Sequence, residues 1–124
     1  YGCLVGSEMC IRDRHIVYYM KKFTSFITIT FPSDPSFKEW ERITKDFFLK
    51  DVNVVKFLKE NGMTKWTWTK TDEVEPIRVV ALMEYENKKS FDNCQKIFSK
   101  YMPNVRGLVY KSNIIRGNVI FEKI

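Results

Sequence analysis

The 124-residue chain is poor in the side chains that most often carry out chemistry. It holds one histidine, His15, and three cysteines, Cys3, Cys10 and Cys94. With its only imidazole near the front, the rest of the chain lacks the commonest general base and the commonest metal ligand. His-dependent triads, ordinary zinc centres and His-ligated haem are thereby excluded downstream. The five glycines are scattered and build no phosphate-cradling loop. No apolar run approaches the length of about 20 residues that a membrane-spanning helix needs. Internal repeats and low-complexity linkers are also missing.

The stretch LVGSEMCIRDR, Leu4 to Arg14, has no hydrophobic period. Back-translated, it resembles the transposase mosaic-end adapter used to prepare sequencing libraries. Residues 1–19 are therefore expected to be a non-native leader without fixed structure, and residues 20–124 a single domain, with His15 to Tyr19 left open. A signal peptide at Lys21 and Lys22 is disfavoured, because Thr and Ser alternate through the following run and no small-residue cleavage site follows. Setting the leader aside leaves Cys94 alone, which forbids an internal disulfide and implies a reducing, cytoplasmic setting. Glu8, Arg12, Asp13 and Arg14 cancel, so the formal charge of +6 belongs to the domain. Its lysines are interleaved with Glu and Asp. That is the pattern of a solvated surface and argues against a nucleic-acid partner.

What is present is a clear alternation of elements. Phe23 to Phe31 alternates with period two and predicts a strand, with Phe23, Ser25, Ile27, Ile29 and Phe31 on one face. Asp34 and Pro35 read as the cap and first residue of a helix over about Ser36 to Lys50, with Ser36 and Glu39 as an alternative capping box. Its stripe is Phe37, Trp40, Ile43 and Phe47. Asp51 caps a second, shorter helix that stops at Asn61-Gly62. Strands are predicted over Met63 to Lys70 and Ile77 to Glu86, joined by the polar TDEVEP turn. A further helix carries Phe91, Cys94, Ile97, Phe98 and Tyr101 and is expected to end at Pro103. The last strand is expected in two pieces, broken at Arg116-Gly117. The order β-α-β-β-α-β predicts an α+β, ferredoxin-like antiparallel sheet with helices on one face.

The other face should be polar if it met water. Instead strand Ile77 to Glu86 is apolar on both sides, which predicts cover on both sides. A second copy is the simplest cover, giving a homodimer whose two sheets form a barrel lined partly by Thr and Arg, Thr28 and Arg78 among them. ALMEYENKKSFDNCQKIF, Ala81 to Phe98, resembles the dimeric α+β barrel superfamily, in particular its antibiotic-biosynthesis-monooxygenase-like branch. Glu84, Tyr85, Phe91 and Asp92 carry the likeness, and Cys94 stands where that branch often has His. The resemblance implies a small apolar ligand in each subunit and cofactor-independent monooxygenase chemistry, with no cofactor, no metal and no membrane. The candidate site is Trp66 and Trp68 shaping the pocket, Thr28, Arg78 and Leu82 lining it, and Glu84 as acid or base. Two alternatives remain: an RNA-binding sheet with Trp66, Trp68 and Tyr110 as stacking platforms, and a module that only dimerises.

Overall fold

A computed structural model describes residues 21–123. The leader assigned to residues 1–19 lies outside them. The elements are β1 (Phe23–Phe31), α1 (Asp34–Leu49), α2 (Val52–Glu60), β2 (Met63–Lys70), β3 (Ile77–Tyr85), α3 (Lys88–Val105) and β4 (Lys111–Asn118). The sheet order is β2-β3-β1-β4, antiparallel throughout. This is the ferredoxin-like α+β arrangement that the sequence predicts.

Period-two alternation in β1 and β3 sorts the sheet into two faces. Ser25, Ile29, Val79, Ala81, Met83 and Tyr85 are buried beneath the helices. The helices contribute Phe37, Trp40, Phe48, Leu58, Phe91, Cys94, Tyr101 and Val105 to the same core. Opposite them, Thr28, Arg78, Val80, Leu82 and Glu84 are only half-buried, and Phe26 is exposed.

Three boundaries depart from expectation. Ser33, not Asp34, caps α1, its hydroxyl accepting from the Ser36 N–H at 3.3 Å. Pro35 then sits within the first turn, where its missing N–H costs nothing. The second departure is α3, which runs through Pro103 to Val105. Proline removes only the helical bond to Ser99, while buried Tyr101 and Val105 hold the last turn against the core. The third is β4, a single strand crossing Arg116-Gly117, because β1 offers a continuous edge pairing Ser25 with Arg116 and Thr24 with Gly117. Residues 119–123 continue past it outside any strand, tied back by the Val119 N–H donating to the Lys22 carbonyl at 2.8 Å.

Candidate functional site

A cavity of about 310 Å3 lies between the helix-facing side of the sheet and the helices. That is the lower end of the size range of small-molecule sites. Four strands supply its floor in cross-strand rows. One row is Arg116 (β4), Ser25 (β1), Met83 (β3) and Trp66 (β2); the next is Ile114, Ile27, Ala81 and Trp68. The helices close it with Trp40, Phe48, Phe98 and Tyr101. Its walls are an edge-to-face aromatic cluster: Trp66 meets Phe48 at 4.7 Å, Trp68 at 5.0 Å and Phe98 at 5.9 Å between ring centroids. Edge-to-face packing suits the ring quadrupoles and fixes the wall rigidly.

Both tryptophans therefore face the helices, and a bulge is the reason. Met63 pairs with Tyr85 and faces inward; strict alternation from there would turn Trp66 outward. The register shifts between Met63 and Lys65, so Trp66 pairs with Met83 and Trp68 with Ala81. One extra residue inverts every side chain that follows. Thr64, at the bulge, donates its hydroxyl to the Glu84 carbonyl at 3.1 Å.

The six residues singled out in the sequence are thus divided between two surfaces. Trp66 and Trp68 line the cavity. Thr28, Arg78, Leu82 and Glu84 lie on the opposite face, where Leu82 pairs with Phe26, Thr28 with Val80 and Glu84 with Thr24. Glu84 has Lys22 at 3.8 Å and Thr64 at 3.4 Å, and Arg78 donates to Glu73 at 2.7 Å. A pocket shared by Glu84 and the tryptophans does not exist within one chain, because the sheet separates them. The RNA-stacking arrangement is corrected for the same reason. Trp66, Trp68 and Tyr110 all line the cavity and present no platform on the open face.

Two cavity residues, Ser25 and Arg116, have signals that the sequence reading passed over. Among the described residues the Ser25 hydroxyl, on a residue 1% exposed, has no hydrogen-bond partner, and neither has the Trp66 indole Nε1. Ser25 is the one polar residue on the inward face of β1, and that interruption was its sequence signal. Arg116 was read as a strand break. Its guanidinium instead lies 4.8 Å from the centre of the Phe91 ring, at the cavity wall.

The remaining titratable groups at this site hold their protons. Burial pushes Tyr101 up to about 12, with the Thr44 hydroxyl, 2.6 Å away, opposing the shift. Burial drives Tyr85 higher still, against the attraction of Arg116. Cys94, buried behind them and donating weakly to the Leu58 carbonyl at 3.7 Å, is pushed up to about 11 by burial. A thiol so placed is a small hydrophobe and not a nucleophile. Among the described residues no cluster of three or more His, Cys, Asp or Glu is placed to hold a metal ion.

Fold and cavity together define the class: an α+β chain of ferredoxin-like fold, with its hollow under the helices. No family model and no curated protein matches the sequence. Solved structures do. A dimeric ferredoxin-like protein from an uncultured marine organism superposes with a TM-score of 0.75 at 20% identity, over 84% of this chain and 92% of that one. A second protein of that description gives 0.68 at 24% identity, over 83% and 99%. SnoaB, a cofactor-independent oxygenase from Streptomyces nogalater, gives 0.59 at 13% identity, over 82% and 96%. The superfamily to which Ala81–Phe98 bears a resemblance is thus the one whose folds this chain is similar to.

Proposed function

We propose that the chain forms a homodimer through its open sheet face, and that each subunit binds a small, flat, mostly apolar molecule in the cavity beneath its helices. The carrying observation is the pair of unpartnered polar groups, Ser25 Oγ and Trp66 Nε1, in an otherwise apolar hollow. Buried groups of this kind ordinarily have partners, and leaving one unmade costs about 1–3 kcal/mol. A ligand with a hydrogen-bonding oxygen would satisfy them. Trp66 and Trp68 are its flat walls.

The open face supports the dimer. Phe26 is 47% exposed and its β4 neighbour Ile115 is 65% exposed, with Val80 and Leu82 beside them. Covering such side chains is worth about 1.5–3 kcal/mol each before association costs. In this reading Thr28, Arg78, Leu82 and Glu84 belong to the subunit interface, and the acid/base role expected of Glu84 is set aside. Two structural neighbours are described as dimeric.

The activity we assign is cofactor-independent oxygenation of the bound molecule, the activity named for SnoaB. In such a reaction the substrate supplies all four electrons that O2 takes up. One oxygen atom of O2 becomes a carbonyl, and the other leaves as water with the two hydrogens of the oxidised carbon. Among the described residues the cavity lining contains no carboxylate and no imidazole, so in this reading the substrate is acidic enough to ionise with little help. The protein holds it dry and oriented.

Native mass spectrometry of protein drawn from cells tests both parts. A dimer mass with a retained small molecule is expected, lost on Ala81→Phe, which fills the cavity floor. Oxygen uptake should follow when the released molecule is returned. A monomer disproves the assembly, and an Ala81→Phe variant that still carries the molecule disproves the cavity.

A further inference from the structure

Resting on the cavity reading, we infer that the ligand is an aromatic carboxylic acid whose carboxylate is held between Arg116 and Ser25. These two residues are direct cross-strand partners on the helix-facing side of β4 and β1. Adjacent strands lie about 4.8 Å apart, so both can reach one carboxylate. The Ser25 hydroxyl is buried and has no partner among the described residues. Arg116 forms no ion pair among the described residues. Its guanidinium carbon lies 4.8 Å from the centre of the Phe91 ring, a contact that leaves the N–H groups available to a planar, two-oxygen acceptor.

The polarity of the floor orients such a molecule. The row Arg116, Ser25, Met83, Trp66 runs from cation to aromatic wall across about 14 Å of sheet. Ala81 in the neighbouring row is the smallest side chain on the floor and leaves room above it for rings. A carboxylate at the β4 end therefore sends its aromatic body inward toward Trp66, Trp68 and Phe48. Arg116 is itself exposed, at the open edge of the sheet. A charged group thus stays near water while the rings leave it, which avoids the desolvation that a buried anion would meet.

The test uses 2-naphthoate and its neutral methyl ester, titrated against the full chain by quenching of tryptophan fluorescence. Wild-type protein is expected to prefer the acid over the ester by about tenfold, the ratio set by a charge-assisted hydrogen bond. Arg116→Gln should remove that preference by weakening the acid far more than the ester, and Arg116→Lys should restore part of it. Ser25→Ala should weaken acid binding without lowering the urea midpoint, and should raise it if anything, since the buried hydroxyl it removes has no partner among the described residues. Equal binding of acid and ester to the wild type overturns the carboxylate assignment and leaves the cavity standing. So does a preference that survives Arg116→Gln. Failure of both probes to bind overturns the assignment together with the cavity reading.

Discussion

At the scale of single residues, the interior polar groups divide into satisfied and unsatisfied ones, and each kind makes a prediction. Thr44 and Tyr101 share a buried hydrogen bond of 2.6 Å that ties α1 to α3. Tyr101→Phe should cost about 1–2 kcal/mol, because it strands the Thr44 hydroxyl; adding Thr44→Val should recover part of the loss in a double-mutant cycle read by urea unfolding. The raised values of Cys94 and Tyr101 carry a pH dependence whose sign is fixed. Both groups are held protonated in the folded state, so their contribution is complete below about pH 9, the ordinary thiol value, and fades as pH rises toward about 12. The urea midpoint should therefore fall between pH 8 and pH 10.5, and fall less in Tyr101→Phe. Peptide mapping after iodoacetamide at pH 8 should find Cys94 unmodified in native protein and alkylated in urea.

At the scale of elements, two local devices place the core. Gly62 closes α2 with φ +97, and a Cβ there would stand 2.6 Å from the Ser90 Cβ at the start of α3. Gly62→Ala should destabilise by about 1–3 kcal/mol, seen as a lower midpoint of thermal unfolding. The bulge at Thr64 matters more for the cavity, since the extra residue lets Met63 and both tryptophans face inward together. Deleting Thr64 would remove the bulge yet leave Trp66 and Trp68 inward, because Lys65 then alternates strictly between Met63 and Trp66. The expected result is a retained near-ultraviolet circular dichroism of the aromatic cluster and retained naphthoate binding. Loss of both would show that pairing with Met83 and Ala81 is not enough to hold the rings inward without the bulge.

At the scale of the whole molecule, the sheet has a use for each face. Helices cover one and enclose the hollow; the other exposes Phe26 and Ile115 beside half-buried Val80 and Leu82. A Leu82→Glu, Phe26→Glu double variant should sediment as a folded monomer, because like charges from two copies would meet across a twofold axis. A dimer that persists in this variant would place the subunit contact elsewhere. Its cavity should still bind the naphthoate probe, since neither substitution reaches the helix side of the sheet.

Much of this was written in the chain. Period-two alternation set β1 and β3, helical stripes set α1 and α3, and their order set the ferredoxin-like topology, because these signals are local and each element spans several periods. Candidate-site residues were legible only in part. Trp66 and Trp68 stood out by type, but their facing depends on pairing with β3, a contact between strands that no single strand reveals. Ser25 and Arg116 are far apart in sequence and become neighbours only when β4 docks against β1. Composition and periodicity determined which layers form. Register alone decided what shares a surface, since a shift of one residue moves a side chain from one side of a sheet to the other without changing the pattern that was read.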